Sequence, residues 1–384
     1  MAFAIRKIHR NTAGLLVLTA ALVTAGCTAT STSESSTSTS RPSGGMAGGG
    51  MTAEVTEQEF DTAGVSAGGA NTAEVVAATD AFLATLTAEQ LETVTYDYSD
   101  NLARQTWSNF PATTVPREGI ALADLSEEQL TAAMAVLEAS LSDEGYEQVL
   151  QIQQSDDYLN SLGGQGADGF GSLVDYFIAV YGEPSETDAF MIQFGGHHLA
   201  QNLTYNGDSV STTPEFVGTE PTSFEVDGTT VEPLAAESTA LFSLFDGLDD
   251  TQLAAAEITS GTFDDLVMGP GADDGQFPAS EGTLISDLSA EQQQQVTDVL
   301  SAYVGDIDEE AAAALLAKYQ SEYDQTYIGW SGNTSPSGEN TYFRIDGPSV
   351  WIEFINTRSQ STDSIHYHSV YRDKVNDYGS SAAS

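Results

Sequence analysis

Residues 341–373 read TYFRIDGPSVWIEFINTRSQSTDSIHYHSVYRD, and this stretch decides the fold class. Aromatic and β-branched residues recur in three short runs, Tyr342 to Ile345, Val350 to Ile355 and Ile365 to Tyr371. Such runs, separated by turn residues, predict β-strands, and Gly347-Pro348 predicts a tight connection between the first two. The C-terminal part of the chain is therefore predicted to be mostly antiparallel sheet, with a further strand from Tyr327 to Trp330.

Upstream of this stretch the hydrophobic period is mainly helical. Four segments begin with a leucine, place a Thr, Ser or Asp next, and carry a Gln three residues after that residue, which is the signature of a helix-capping box. They start at Leu86, Leu125, Leu248 and Leu288, and their uneven spacing argues against a solenoid. The predicted helices are Asp80 to Val94, Ser126 to Ser140, Gly171 to Tyr181, Leu234 to Phe245, Ala290 to Val304 and Glu309 to Tyr323.

Between the helical segments the hydrophobic period changes to two. Phe190, Ile192 and Phe194 alternate with other residues, and Leu203 to Thr213 is predicted to fold back around Asn206-Gly207-Asp208, a strong hairpin signal. The sequence therefore predicts an α+β fold. N-terminal helices, a central β-hairpin and C-terminal antiparallel strands would form a sheet packed by helices.

The first residues predict export. Arg6, Lys7 and Arg10 precede an apolar stretch from Ala13 to Val23, and small residues lead to Cys27, the only cysteine of the chain. This pattern is typical of a bacterial-type lipoprotein signal over residues 1–26, with Cys27 as the lipidated residue. Ordinary cleavage with an incidental cysteine is the alternative. We predict an extracytoplasmic location in the cell envelope, with membrane attachment through the lipid.

The composition after the signal predicts a tether and then one globular part. Residues 27–74 are rich in Ser, Thr and Gly, become acidic, and contain few large apolar side chains, so they are predicted to be disordered. Residues 75–384 are predicted to form the globular domain, and nothing in the sequence specifies its oligomeric state.

The charge balance excludes one class of partner. The chain has 11 Lys and Arg residues against 57 Asp and Glu residues, and its formal net charge is −46. Nucleic acid is excluded because its binding requires a positive surface. The acidic excess is consistent with cation attraction or with a solvated acidic surface, and the absence of EF-hand spacing favours the second interpretation.

Four of the five histidines lie in two short motifs, His197-His198 and His366-Tyr367-His368. On a strand, His366 and His368 would point to the same face. The adjacent His197 and His198 would point to opposite faces, unless Gly195-Gly196 introduces an irregularity. If the two segments are neighbours, three or four imidazoles would converge and suit one divalent transition metal, zinc or copper. Glu353 would then be a carboxylate ligand or a catalytic general base.

Other residues carry less specific predictions. Arg117, Arg372, Asp373 and Trp107 are candidates for binding an anionic or polar substrate. Arg372 and Asp373 would equally fit a role in fixing the C-terminal turn, and the paired histidines would equally fit a structural hydrogen-bond network.

Several blocks of the sequence carry a family resemblance. They are Trp107-Ser108-Asn109, Arg117-Glu118-Gly119, FGGHHLAQNLT from Phe194, TPEFVGTEP from Thr213 and IHYHSVYRDKVNDYG from Ile365. In this order they resemble the family catalogued as domain of unknown function 3500, over roughly Val75 to Gly379. The resemblance implies a secreted or anchored protein and no particular activity.

Two functional hypotheses follow. The first is a surface lipoprotein that is a metal-dependent, hydrolytic enzyme with a site built from the histidine motifs. The second is a non-catalytic surface lipoprotein that binds a small molecule or a glycan, in which the histidines are structural and Trp107, Trp330 and Tyr327 line a groove.

Overall fold

A computed structural model describes residues 57–58, 60–61, 67–163, 169–358, 364–379 and 381–382. The predicted signal, Cys27 and most of the predicted tether lie outside these residues. Secondary structure is present ahead of the predicted domain start at Val75, because a strand covers Ala67–Gly68 and a helix begins at Thr72. None of the described helices combines the length and the hydropathy that a membrane span requires.

The structure confirms a mixed α+β fold. The described helices are α1 (Thr72–Thr85), α2 (Ala88–Val94), α3 (Asn101–Gln105), α4 (Glu127–Ser140), α5 (Asp143–Leu162), α6 (Ala235–Gly247), α7 (Asp250–Ala256), α8 (Ala290–Val304) and α9 (Glu309–Gln320). The described strands are β1 (Phe60–Asp61), β2 (Ala67–Gly68), β3 (Thr95–Tyr96), β4 (Ile120–Ala121), β5 (Phe177–Tyr181), β6 (Phe190–Gly196), β7 (Leu199–Asn206), β8 (Ser209–Ser211), β9 (Glu215–Thr219), β10 (Phe224–Val226), β11 (Thr229–Val231), β12 (Thr283–Leu284), β13 (Tyr327–Gly332), β14 (Thr341–Asp346), β15 (Val350–Arg358), β16 (Ile365–Asp373) and β17 (Ser381–Ala382).

One large sheet organises the described chain. Its main order is β12-β13-β14-β15-β16-β9-β7-β6-β5-β3, and its strand pairs are antiparallel except for β3 with β5. The predicted hairpin around Gly207 is confirmed, since Asn206 pairs with Ser209 across the turn. At the centre, β16 pairs with β9, with His368 opposite Gly218. This pairing joins the C-terminal strands to the strands of the central hairpin.

The two faces of the sheet have different covers. Phe190, Ile192 and Phe194 of β6 belong to a large core that includes residues of α1, α4, α5, α6, α8 and α9. On the opposite face, Met191 and Val370 pack with Trp107, which lies in a loop, and with Tyr378, which lies in a short 3-10 helix. We call these the helix face and the loop face. His366 and His368 alternate in step with Val370, so they lie on the loop face.

The chain contains two similar halves. All four predicted capping boxes are present. The glutamines of these boxes pair within each half, Gln90 with Gln129 at a separation of 39 residues and Gln252 with Gln292 at a separation of 40. The segments EGIALADLSEEQ from Glu118 and EGTLISDLSAEQ from Glu281 lead into α4 and α8 in the same way. The β16–β9 pairing is therefore the seam between the halves.

Two of the helix predictions were wrong, the first in the type of element and the second in its extent. Gly171 to Tyr181 contains the strand β5 and no α-helix, because Ile178 and Val180 belong to a strand buried on both faces, whose continuous apolar run resembles a helical pattern. Asp80 to Val94 is two helices, since the Thr87 capping box starts α2 after α1 has ended. The long helix α5 was not predicted.

Candidate metal centre

His197 and His198 form the two-residue turn between β6 and β7, because Gly196 pairs with Leu199. They therefore do not lie on a regular strand, and the irregularity that Gly195-Gly196 was expected to allow is this turn. His198 adopts a left-handed backbone conformation with φ of 60°. Its N–H donates to the carbonyl of Asn109 at 3.1 Å, and its own carbonyl accepts from Gly218 N at 2.8 Å. The turn places the two rings side by side, with their centroids 3.8 Å apart.

The glycines before the turn allow a close approach of neighbouring backbone. A Cβ atom on Gly196 would lie 2.3 Å from the carbonyl oxygen of Asp175 and 2.8 Å from the ring of Tyr176. No side chain fits there without displacing one of these groups. The glycine therefore fixes the hairpin against the segment that leads into β5.

The second histidine motif reaches the first across β9. The predicted same-face pairing is confirmed, since the rings of His366 and His368 lie 4.7 Å apart between centroids. The His198 ring lies 5.8 Å from His366 and 5.1 Å from His368. A Cβ atom on Gly218 would lie 3.1 Å from the His198 ring, so the missing side chain leaves room for this contact. One potential ligand atom from each of these three histidines lies within 4.8 Å of the others.

Comparison with known protein families matches residues 68–380 to the family described as protein of unknown function (DUF3500). The chain belongs to the DUF3500 family. Neither the curated proteins nor the solved structures gave a match. The histidine motifs lie within the matched residues of this DUF3500 protein.

The fourth histidine of the DUF3500 domain belongs to a different group. Nδ1 of His197 lies 2.6 Å from Oδ1 of Asp156, and Asp156, His197 and His198 form a second set of potential ligands within 4.8 Å of one another. Oδ2 of Asp156 accepts from the hydroxyl of Tyr176 at 2.8 Å. The predicted convergence thus holds for three imidazoles, while His197 pairs with a carboxylate on α5.

Two of the three convergent rings are held by hydrogen bonds. Nδ1 of His368 lies 2.9 Å from Oδ1 of Asp265, and the ring of His366 lies 3.3 Å from the hydroxyl of Thr357. A carboxylate behind a histidine is the usual support of a metal ligand, because it fixes the ring and leaves Nε2 free. Nδ1 of His198 is buried and has no hydrogen-bond partner. A metal ion would satisfy this atom.

Burial and mutual repulsion keep His198 and His366 of the DUF3500 domain neutral. Burial lowers the pKa of His198 well below its ordinary value, and the neighbouring imidazoles lower it further. Burial and His368 lower the pKa of His366 to about 3. At His197 burial acts in the same direction, but the charge and hydrogen bond of Asp156 outweigh it and raise the pKa. His198 and His366 can therefore offer lone pairs to a metal without losing a proton.

Glu353 of the DUF3500 domain supports a loop. Its carboxylate accepts from the N–H of Val267 at 3.0 Å, from the N–H of Met268 at 2.8 Å and from the hydroxyl of Tyr342 at 2.5 Å. It belongs to neither group of potential metal ligands among the described residues. The loop that it holds carries Asp265, the partner of His368. A role as general base stays a prediction, and the contacts give Glu353 a positioning role.

The predicted substrate-binding residues are engaged inside the protein. Trp107 is 4 % exposed and its indole N–H donates to Tyr378, so it lines no open groove. Arg372 forms ion pairs with Asp273 at 2.9 Å and with Asp377 at 3.0 Å, and Asp373 pairs with Lys318 at 3.0 Å. Arg372 and Asp373 point to opposite faces of β16, so they fix the C-terminal turn from two sides.

Arg117 holds the segment before β4 against the histidine hairpin. Its guanidinium donates to the carbonyl oxygens of Val115, Ser108, Phe110 and Gly196. Burial lowers its pKa to about 10. Because all of these acceptors are backbone carbonyls, Arg117 positions the hairpin in the present structure.

Sequence reasoning missed Asp156, Asp175 and Asp265. They lie on α5, on the segment before β5 and on the loop after α7, far from either histidine motif in the sequence. In a chain with 57 acidic residues, no local pattern distinguishes these three.

Proposed function

We propose that this protein is an envelope-anchored, metal-dependent hydrolytic enzyme with a zinc ion held by His198, His366 and His368. The observation that carries the proposal is the convergence of three imidazole ligand atoms within 4.8 Å. Three nitrogen ligands with an open fourth position are the usual donor set of catalytic zinc. A bound zinc ion would supply an activated water molecule near neutral pH.

The surrounding residues support this assignment by orienting the ligands. Asp265 fixes the His368 ring, and Glu353 fixes the loop that carries Asp265. Gly218 leaves the space through which His198 reaches the other two rings. His366 is less buried than His198, so its side is the one through which a substrate would enter. The large acidic excess favours accumulation of cations at the surface.

The proposed location rests on the N-terminal sequence. A basic start, an apolar stretch and small residues before Cys27 support export and lipidation, followed by a tether that would hold the domain away from the membrane. A single free thiol would be out of place in an oxidising compartment, which supports lipidation of Cys27.

Elemental analysis of the full-length chain, purified without a histidine tag, tests the metal directly. We expect at least one equivalent of zinc, and the loss of one equivalent in His368→Ala. Tyr367→Phe is the matched control, because Tyr367 lies between the two histidines on the other face and packs against Phe354. Metal-free protein whose stability is unchanged by zinc or chelator would overturn the proposal.

Hydrolysis is tested separately with p-nitrophenyl acetate and p-nitrophenyl phosphate as probes. We expect turnover of one probe to be lost in chelator, restored by zinc, and lost in His368→Ala but not in Tyr367→Phe. Zinc binding without hydrolysis of either probe would count against the enzyme hypothesis and favour a metal-binding protein. Preferential retention of copper would contradict the choice of zinc.

A further inference from the structure

A second group of potential ligands lies directly beside the proposed zinc site. Asp156, His197 and His198 offer one ligand atom each within 4.8 Å of one another, and all three residues are buried. His198 belongs to both groups. The proposed function uses His198 only with His366 and His368, so the Asp156 group has no assigned role.

The position of His198 allows it to serve both groups. An imidazole has two ring nitrogens, which lie on different edges of the ring. The His198 ring lies 3.8 Å from the His197 ring and 5.1 Å from the His368 ring, between centroids. Its Nδ1 is buried without a hydrogen-bond partner. A ring placed between two groups can direct one nitrogen to each of them.

The surroundings of His197 carry buried negative charge. Asp156 and Asp175 are both 0 % exposed, and Oδ2 of Asp175 has no hydrogen-bond partner. Arg117 is the nearby cation, but its guanidinium donates to backbone carbonyls. A metal ion at Asp156 and His197 would offset this charge.

We propose that Asp156, His197 and His198 hold a second divalent transition-metal ion, and that His198 bridges the two ions as an imidazolate. The inference rests on the proposed function, which supplies the first ion. Bridging requires the remaining ring N–H proton of His198 to leave to solvent. Coordination by Nδ1 of His197 would release the proton of that nitrogen to solvent and leave the proton on Nε2, and Asp156 would exchange its hydrogen bond for a metal–oxygen bond. Nitrogen and carboxylate donors both suit zinc and copper.

Zinc counting on the full-length, tag-free chain tests the second site. After equilibration with buffered Zn²⁺, we expect two equivalents in the wild type, one in Asp156→Asn and one in His368→Ala. Asp157→Asn is the matched control, because Asp157 is the next residue on α5 and is exposed, and it should retain two. One equivalent in both the wild type and Asp156→Asn would overturn the second site and leave the first intact. No zinc in the wild type would overturn both proposals.

Copper loading of the wild type tests the bridge without any substitution, so it is independent of whether a variant folds. The first equivalent of Cu²⁺ should give a full electron paramagnetic resonance signal. The second should reduce the intensity per copper and produce a half-field transition, since an imidazolate couples the two ions. Two independent full-intensity signals would contradict a bridging role for His198.

Discussion

Nδ1 of His368 lies 2.9 Å from Oδ1 of Asp265, so a ligand on the central strand of the sheet is oriented by a loop that crosses the loop face. That loop is itself fixed by Glu353, which accepts from the N–H groups of Val267 and Met268. The proposed zinc site therefore depends on a chain of contacts that runs from the sheet to the loop and back to the ligand.

Asp265→Asn should weaken zinc binding while the protein stays folded. The amide keeps the size of the side chain but loses the charge that orients the His368 ring, and such supporting carboxylates typically contribute about 10–100-fold in metal affinity. Competition with a chromogenic chelator measures the change. Asp264→Asn, at the preceding residue, is the control, and equal affinities in the two variants would contradict the role given to Asp265.

Glu353→Gln should both destabilise the fold and weaken zinc binding. Both backbone N–H groups lie within hydrogen-bond distance of one carboxylate oxygen, and the hydroxyl of Tyr342 donates to the other. An amide has one acceptor oxygen, so either these N–H groups or the Tyr342 hydroxyl loses its buried acceptor, which costs about 1–3 kcal/mol. Urea denaturation measures the stability, and chelator competition measures the affinity. Glu339→Gln, at an exposed carboxylate paired with Arg358, should change neither. A fall in activity with stability and affinity unchanged would instead support Glu353 as the general base.

Gly196→Ala should disrupt the histidine hairpin. The added methyl group would meet the carbonyl of Asp175 at 2.3 Å, and displacement of the hairpin would move His197 and His198. We expect a loss of about 1–3 kcal/mol of stability and weaker metal retention. Gly261→Ala is the matched control, because no heavy atom lies within 4 Å of its added Cβ. Equal melting temperatures and equal metal contents in the two variants would contradict this account.

Glu237→Gln should change how stability depends on pH. Burial raises the pKa of Glu237 from 4.5 to about 7, so the folded protein holds a proton there that the unfolded chain releases above pH 4.5. The contribution of protonated Glu237 to the free energy of unfolding is therefore fully present below about pH 4.5, and it is lost as the pH rises toward 7. Relative to the variant, the wild type should lose up to about 3 kcal/mol over this range.

Denaturant titrations from pH 4 to pH 8 give the two curves for Glu237. Glu147 on α5 is exposed, so Glu147→Gln serves as the control. Its curve should run parallel to that of the wild type. Parallel curves for the wild type and Glu237→Gln would show that this carboxyl does not titrate with folding.

Cys27→Ser should release the protein from the membrane. Without the thiol no lipid can be attached, and a processed or secreted chain would be recovered in the soluble fraction. Fractionation of expressing bacterial cells and metabolic labelling with a fatty-acid analogue measure the outcome. Continued membrane association and labelling in Cys27→Ser would contradict lipidation at this residue.

The sequence predicted the fold class and the main strands because their signals are local. Alternating residues in β6 and in the C-terminal strands, and the four capping boxes, are properties of a few neighbouring residues. Strand β5 was mistaken for a helix because Phe177 to Tyr181 is apolar on both faces, and such a short run has no informative period. The two halves were missed because the capping boxes are unevenly spaced along the chain, although they pair regularly within each half.

The candidate site was predicted in part for the same reason. Side chains two residues apart on a strand point to the same face, and this was enough to predict the pairing of His366 with His368. Gly195-Gly196 indicated an irregularity at His197 and His198, but its type could not be predicted, because a turn containing two histidines and a left-handed His198 has no strong sequence signal. Asp156 and Asp265 depend on tertiary contacts between distant segments, which a single sequence does not encode locally.

The seam at β16 and β9 gives the proposed centre a consequence for folding. Each half contains its own helices and adjacent strands, whereas the seam joins segments distant in the chain and is expected to form late. His198 lies on one side of the seam, and His366 and His368 lie on the other. An ion held by all three residues would therefore stabilise only the state in which the two halves are joined. We expect zinc to slow unfolding strongly and to leave the folding rate almost unchanged, so that the lifetime of the assembled sheet would follow metal supply.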